Sequence, residues 1–581
     1  MNFPGTVLPD LYKGALTDEL IYGLEGNDVL FGGGGCDTLF GGAQNDYLSV
    51  ENTLITSHSK LDGGTGDDEL NANYSAGNNT LLGADGADHL QADYSTGNNI
   101  LKGGTGNDYL SIYSASGKDT VLGGDGKDTL YAHYSSGNSS LDGGNHNDYI
   151  YIHGATGKNT LMGGNGADSL DAGYSTGNNL LSGGSEDDYF SVYYSTGNNL
   201  LKGGSGADSL YANYSSGNNS FNAESGNDHI NIFGSSGDNS LSGGFGHDHL
   251  YAKNATGTNH FIGNEGNDII TVGIGISLVE GGEDIDTLVA DFSSLTSGMS
   301  QSFLRGSGLV TFAPITLTYH NIEAFDITGT DYDDLILGGD GSDTLRGGLG
   351  NNTLRGGNGN DALYMHRFFI DDNSRNLLDG GEGDDTLYGE YYYDAPLSDA
   401  NTLLGGAGND SFVVSYDDND YLIEGGTGND YFNLFSNAGA NLLDGGDEND
   451  YFDLQNTTGN TIVAGGQGRD TFFLANNGVG STTLVYNYAE EGNDFIHAFD
   501  LHQDRFQIVN AGFGNNFAIG ILASEQFVLG SQANNSGLSQ LIYDAATGGL
   551  SFDQDGMDGG TIGLAMLDVG LNLSNTHFTI I

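Results

Sequence analysis

The sequence holds a single cysteine, Cys36, so no disulfide can close within the chain and no cysteine-rich zinc site can be built. Tryptophan is absent, and 581 residues contain only 6 Met and 4 Pro. So little proline excludes a collagen-like or proline-rich extended chain, since both depend on it. Basic residues are also scarce: 15 Lys and Arg stand against 78 Asp and Glu, a formal net charge of -63. Nucleic acid and anionic membrane surfaces are therefore poor partners, and cations are the natural ones. No stretch approaches the roughly 18 apolar residues of a transmembrane helix. The opening segment MNFPGTVLPDLYKGALTDEL has neither a basic region nor a continuous apolar stretch, so no cleavable signal of the general secretory type is visible in it.

Glycine is abundant, with 99 residues, beside 32 Tyr and 28 Phe. Aromatic content of this order argues against plain disorder. The carboxylate excess opposes compaction unless it is neutralised, and a divalent cation brings two charges per ion.

Internal repetition organises the chain. Nine-residue units of the form G-G-x-G-x-D-x-(apolar)-x occur as GLEGNDVLF from Gly23, GGGGCDTLF from Gly32 and GGAQNDYLS from Gly41, with aspartates Asp28, Asp37 and Asp46. The period then becomes 20 residues and holds through Asp68, Asp88, Asp108, Asp128, Asp148, Asp168, Asp188, Asp208, Asp228, Asp248 and Asp268. Each unit joins one nonapeptide to eleven residues of another kind, as in GGSGADSLY followed by ANYSSGNNSFN from Gly203.

Two positions after each of these aspartates the residue is apolar, as at Leu110, Leu130 and Ile150, and the alternation that follows marks a strand. A second apolar column, including Leu101, Val121, Leu141 and Leu161, marks another. Two short strands and two turns close one coil, and stacked coils give an all-β, elongated parallel β-roll or β-solenoid with a narrow apolar core. Within that core Ala92, Ala132, Ala172, Ala212 and Ala252 alternate with Ile112, Ile152, Val192 and Ile232, small beside large.

The coil has two unlike edges, one formed by the glycine turn and its aspartate, the other by segments such as YSTGNN at Tyr94, Tyr174 and Tyr194. Where the aspartate spacing departs from the repeat, the extra residues (TLITSHS, MHRFFIDDNSR, EYYYDAPLSD) are expected at the second edge, so that the glycine edge keeps its length. A segment from Asp291 to Thr330 breaks the period and reads as β structure docked on the solenoid. Repeats resume at Asp334, Asp343 and Asp361 and continue through Asp385, Asp410, Asp430, Asp450 and Asp470, with Asn352 replacing one aspartate. The expected division is 1–62, nonapeptide coils; 63–290, 20-residue-period solenoid; 291–330, insert; 331–486, second solenoid; 487–581, C-terminal cap. No compositional linker separates these blocks, which predicts one elongated body.

Glycines allow backbone conformations with positive φ and remove side chains, so several carbonyl oxygens can turn inward together, and one aspartate per turn adds charge. Calcium takes six to eight hard oxygen ligands, more than one turn supplies, so the ion is expected between turns of adjacent coils. The expected ligands are all the repeat aspartates named above together with Asp286, and the site around Asn352 is expected to be weaker. Other readings are the plainer alternatives. The turns could be metal-free with solvated aspartates. The acid pairs Asp67 and Asp68, Asp187 and Asp188, and Asp384 and Asp385 could suggest a glycosidase, but they lie inside the turns. His247 and His249 lack a third zinc ligand and read as outward-facing turn residues. The Ser/Thr-Gly-Asn edge could be a ladder for ice or glycans, but side-chain hydrogen bonding that closes the turn is the simpler reading.

The nonapeptides resemble the RTX (hemolysin-type calcium-binding) repeats of bacterial exported proteins over most of residues 14–500. The segments EEGNDFIHAFDLHQDRFQI, SEQFVLGSQA, LIYDAATGGLSFDQDGMDGG and HFTII are similar to the C-terminal domain that follows such arrays. The resemblance implies a cap carrying an uncleaved type I secretion signal, although His577 stands where the family often has an acidic residue. It also implies multiple Ca²⁺ ions, passage through the type I secretion apparatus, folding outside the cell and an extracellular or cell-surface location. No H-E-x-x-H, G-x-S-x-G or long apolar pore segment occurs. A non-catalytic structural or adhesive protein is therefore expected. The alternatives are a secreted carbohydrate-active or carbohydrate-binding protein, with cell-surface glycans as ligands, and a toxin-like membrane-active protein.

Overall fold

The computed structural model describes residues 2–50, 57–365, 374–389, 400–416, 418–475, 479–557 and 559–581. Almost all regular structure is β, and the helical segments among the described residues are three short 3₁₀ turns, Asn510–Phe513, Ser524–Gln526 and Asn575–His577.

One coil shows how the repeat becomes structure. Thr120–Asp125 is a strand that buries Val121 and Gly123. A tight turn leads into a second strand, Thr129–Tyr131, which buries Leu130. The chain then bends back and returns as Ser140–Asn145, one coil further along. Pairing is parallel, and Val121 faces Leu101 on one side and Leu141 on the other, while Leu130 faces Leu110 and Ile150. Because the register equals the repeat, equivalent positions stack into columns. Leu101, Val121, Leu141, Leu110, Leu130, Ile150 and the alternating Ala132 and Ile152 are all 0 % exposed. Each fully buried aliphatic side chain of this size contributes about 1.5–3 kcal/mol relative to exposure, which the narrow core collects over every coil.

The first coils use the chain differently. Leu20–Glu25 pairs with Thr38–Ala43, and Val29–Phe31 with Tyr47–Ser49, so two nonapeptides make one coil and each glycine turn serves an alternate edge. In the 20-residue region one nonapeptide serves one edge and its companion segment the other.

The chain divides into two compact units, Met1–Val289 with Gly306–Ile322, and Ala290–Arg305 with Glu323–Ile581. The long strands form a 17-stranded sheet in the first and a 12-stranded sheet in the second. The aperiodic segment is shared between them. Gly306–Phe312 and Ile315–Ile322 form an antiparallel hairpin, whose second strand pairs with Ile276–Glu283 in the first unit. In the second unit, Ser300–Ser302 and Ala324–Thr328 lie in the parallel ladders against Leu335–Asp340 and Thr344–Arg346.

The expected insertions fall between Tyr47–Ser49 and Lys60–Thr65, between Ala362–Tyr364 and Leu377–Glu382, and between Thr386–Tyr388 and Ala400–Ala407. These are passages from a short strand to the next long strand, which is the second edge. Most of the inserted residues themselves, 51–56, 366–373 and 390–399, lie outside the described residues.

At the C-terminus, Ile562–Leu567 stacks on Asp494–His497, and Phe578–Ile580 stacks on Arg505–Ile508. Strands Gln540–Asp544, Gly549–Asp553 and Ile562–Leu567 form an antiparallel meander. The end of the chain thus supplies the last ladder partners, which covers a sheet edge that would otherwise be open to another chain.

Phe412, Phe432, Phe452 and Phe472 form a buried ring stack in the second unit, with centroid separations of 4.8, 4.4 and 4.7 Å. Phe432→Ala is expected to lose about 3–5 kcal/mol of stability in denaturant unfolding at saturating calcium. A loss under about 1 kcal/mol would contradict a continuously packed column.

Candidate metal centre

Asp128 accepts the backbone N–H of Asp108 at Oδ1 (2.7 Å), and its own N–H donates to Oδ1 of Asp148 (2.7 Å). The same link joins one coil to the next from Asp10 through Asp28, Asp46 and Asp68 to Asp268 and Asp286 in the first unit. In the second unit it runs from Phe325 through Asp343, Asp361, Asp385, Asp410, Asp430, Asp450 and Asp470 to Asp494. One carboxylate oxygen per coil is therefore spent on aligning the next turn.

The other oxygen has no donor. Oδ2 is buried without a hydrogen-bond partner at Asp28, Asp46, Asp68, Asp88, Asp108, Asp128, Asp148, Asp168, Asp188, Asp208, Asp228, Asp248 and Asp268, and again at Asp343, Asp361, Asp385, Asp410, Asp430, Asp450 and Asp470. A buried carboxylate oxygen left unpaired is costly, so the recurrence of the same orphan atom points to a missing positive partner. The row closes at its ends. The Thr6 N–H donates to Oδ2 of Asp10, and the Tyr486 hydroxyl donates to Oδ2 of Asp494, each at 2.7 Å.

The glycines explain what surrounds the orphan. A side chain at Gly123 would overlap both Oδ2 of Asp128 and the carbonyl oxygen of Gly143, so carboxylate and carbonyl converge on the space that glycine leaves free. Gly124 and Gly126 have φ of 125° and 138°, a region that residues with a Cβ rarely adopt, and a Cβ on either would strike a carbonyl of the preceding coil. The result is a pocket of hard oxygens with one negative charge per coil. No group of three or more His, Cys, Asp or Glu side chains converges among the described residues, so backbone carbonyls must supply most ligands. That donor set suits Ca²⁺ and not zinc, which needs nitrogen or sulfur.

Burial pushes these carboxyls up, to about 8 at Asp148, Asp188 and Asp450 and to about 7 at Asp68, Asp88, Asp268 and Asp410. The backbone N–H on Oδ1 acts against this, and neighbouring aspartates reinforce it.

The opposite edge repeats the plan with an amide in place of the carboxylate. Asn99 accepts the Asn79 N–H at Oδ1 (3.0 Å), while its Nδ2 donates to Ser95 Oγ (2.9 Å), the Gly97 carbonyl (3.1 Å) and Oδ1 of Asp119 (3.0 Å). Asn179, Asn199, Asn219 and Asn239 do the same. The segment Gly97-x-Asn99-x-Leu101 matches Gly106-x-Asp108-x-Leu110, so the YSTGNN edge is a modified glycine turn. The matching spacing of glycine, amide and apolar residue was a signal available in the sequence. The amide nitrogen fills, as a donor, the place where the aspartate turn has none.

This edge also receives three residues first grouped with the aspartate rows. Asp37 accepts the Glu19 N–H (2.9 Å) on this edge, and its Oδ2 is unpartnered. Asp334 accepts the N–H of Met299 and the Thr330 hydroxyl at Oδ1 and the Thr330 N–H at Oδ2, so both its oxygens, unlike those of the aspartate row, already have donors. Asn352 donates from Nδ2 to the carbonyls of Gly348 and Leu349, an amide-filled turn and not a weakened metal site.

Asp67, Asp187 and Asp384 each accept at Oδ1 a backbone N–H of the following coil, which gives the first acid of each pair a stacking role. His247 lies at a turn, where its Nδ1 accepts the Asn267 N–H (2.8 Å). His249 is not a turn residue: it belongs to the strand His249–Tyr251 and packs against His229 with ring centroids 5.0 Å apart.

A parallel solenoid whose stacked glycine turns present carboxylate and carbonyl oxygens defines a calcium-turn repeat protein. The family model of the RTX calcium-binding nonapeptide repeat matches residues 14–48, 73–108, 93–130, 135–151, 153–189, 193–230, 231–254, 328–363 and 370–390, so the chain carries RTX calcium-binding repeats in both units. Repeats of this kind imply Ca²⁺ binding. No curated protein matches the chain.

The raised carboxyls set the pH behaviour of the metal-free form. Their folded values lie above the unfolded value of about 3.9, so the folded chain holds more protons, and this contribution to stability is complete below about pH 4 and lost as pH rises through about 6–8. In chelator, lowering the pH from 8 to 5 is therefore expected to raise the melting temperature followed by circular dichroism. A flat or falling profile would contradict the burial of these groups.

Proposed function

We propose that the protein is an extracellular, non-catalytic solenoid of structural or adhesive role, in which calcium binding and folding are one process. The row of donorless Oδ2 atoms carries this reading. Ligands are the aspartates of that row together with Asp37 and Asp286, each beside glycine carbonyls of stacked turns. In a calcium-poor cytosol the charge of -63 holds the chain open. Outside, millimolar calcium neutralises the turns, and its binding free energy becomes folding free energy. An unfolded chain suits export by a type I apparatus, the route that the resemblance to RTX proteins implies. The C-terminal region acts as export signal and cap, a reading supported by the ladder partners it supplies to the last coils. Circular dichroism during a calcium titration of chelated protein at pH 7.5 is expected to show a cooperative gain of β structure. Full β signal and an unchanged melting temperature in chelator would sink the reading.

One surface favours a second reading, binding of a neutral glycan. His153, Asp171, Tyr174, Tyr193, Tyr211 and Asn213 line an open groove of about 450 Å³. Tyr74, Tyr94, Tyr134, Tyr174, Tyr194 and Tyr214 all have positive φ, at a position where sister coils carry Gly154, Gly234 or Asn254. Such a backbone costs a bulky residue about 1–3 kcal/mol, and these tyrosines remain about half exposed, with Tyr74 on Tyr94 and Tyr194 on Tyr214 stacked ring on ring. Aromatic rings interleaved with Asp, Asn and His suit sugar rings and their hydroxyls, and the carboxylates disfavour anionic polymers. Affinity electrophoresis through gels containing neutral polysaccharides is expected to retard the calcium-loaded protein, and Tyr174→Ala with Tyr193→Ala to abolish the retardation. No retardation by any neutral polysaccharide removes this reading and leaves the first intact.

A further inference from the structure

Within the 20-residue coils, the amide row of the first unit carries a carboxylate at Asp119. Asp119, in the segment SGKDT, occupies the ladder position held by Asn99, Asn159, Asn179, Asn199, Asn219 and Asn239 in other coils. Its Oδ1 accepts both the backbone N–H (2.7 Å) and the Nδ2 (3.0 Å) of Asn99. Its Oδ2 stands where those asparagines carry Nδ2, and it is buried with no hydrogen-bond partner. In Asn99 that atom donates to the carbonyl two residues earlier, at 3.1 Å. In Asp119 the corresponding carbonyl is that of Gly117, so an acceptor takes the place of a donor beside another acceptor.

The neighbouring residues deepen the anomaly. The hydroxyl that Ser95 offers to Asn99 has no counterpart for Asp119, because the equivalent residue is Ala115. One coil further on, Ser135 does carry the hydroxyl, but the residue four positions later is Ser139 and not asparagine, and Ser135 Oγ is likewise buried and unpartnered. Ser135 follows Ala115 directly in the stack, since the Ser136 N–H donates to the Ala115 carbonyl (2.9 Å). Two unpartnered oxygens thus sit on adjacent coils of one edge, whereas the coils of Asn99, Asn179, Asn199, Asn219 and Asn239 complete their own turns. A spacing of one coil, about 4.8 Å, is about twice a calcium–oxygen bond of roughly 2.4 Å.

We propose that a calcium ion binds at this second edge, held by Asp119 Oδ2, Ser135 Oγ and the Gly117 carbonyl, outside any glycine-rich nonapeptide. The choice of ion rests on the calcium reading of the opposite edge, since both present only hard oxygens and one carboxylate. The site pins the amide row where two adjacent coils lack the hydrogen bonds that the asparagine turns make for themselves.

Crystals of the full chain grown with calcium, measured at long wavelength, test this directly. An anomalous peak is expected between Asp119 and Ser135 in addition to those at the aspartate turns, and Asp119→Asn is expected to remove that peak alone while Nδ2 of the new side chain donates to the Gly117 carbonyl. Peaks at the aspartate turns with none at Asp119 would overturn this inference and spare the main reading. Absence of peaks at both edges would overturn the main reading. A peak at Asp119 that survives Asp119→Asn would also overturn the assignment, because an amide cannot replace the charge that holds the ion.

Discussion

A carboxylate pressed between two glycine turns, with one oxygen gripped by a backbone N–H and the other facing only oxygens, is an incomplete arrangement. No hydrogen-bond donor among the described residues reaches that second oxygen. Protonation completes it at acidic pH, and a divalent cation completes it at neutral pH with charge to spare for the next turn. On the proposed reading, the parallel ladders and apolar columns assemble only when this condition is met in coil after coil. Local electrostatics at one edge thereby governs the whole of each unit.

The two edges are solutions to the same geometric problem. Both need a side chain that accepts the N–H of the preceding coil and also satisfies carbonyls of its own turn. Aspartate performs the first task and leaves the second open, which in the proposed function makes the turn conditional on calcium. Asparagine performs both, with Oδ1 as acceptor and Nδ2 as donor, and makes the turn unconditional. Placing conditional turns on one side and self-sufficient turns on the other gives a coil that is half prepared to stack before any ion arrives. It also halves the number of carboxylates that must be neutralised in the 20-residue region compared with a coil made of two nonapeptides.

Repeat architecture carries this logic along the chain, because each coil meets only its neighbours. The ends of a row then need special treatment, and the structure supplies it with ordinary hydrogen bonds. Thr6 completes Asp10, Thr330 completes Asp334 and Tyr486 completes Asp494. The C-terminal strands finish the sheets in the same spirit, giving the last backbone groups partners from the chain itself.

Much of this was legible before the structure. The apolar columns, the aspartate rows and the parallel solenoid could all be read from the period, because a register equal to the repeat turns sequence spacing directly into spatial stacking. Asp128 and Leu130 needed nothing more. What spacing could not decide is which edge a turn serves. Asp37 and Asp334 share the aspartate motif yet lie on the amide edge, since a nine-residue half-coil and a 20-residue coil send the chain to different sides after the same number of turns. Nor could spacing reveal that Asn99 and Asn352 use their amides as internal donors, that the aperiodic segment divides into a hairpin and two ladder strands, or that Asp119 lacks a partner. Each of those facts depends on an atom one coil away, brought near by folding and invisible along the chain.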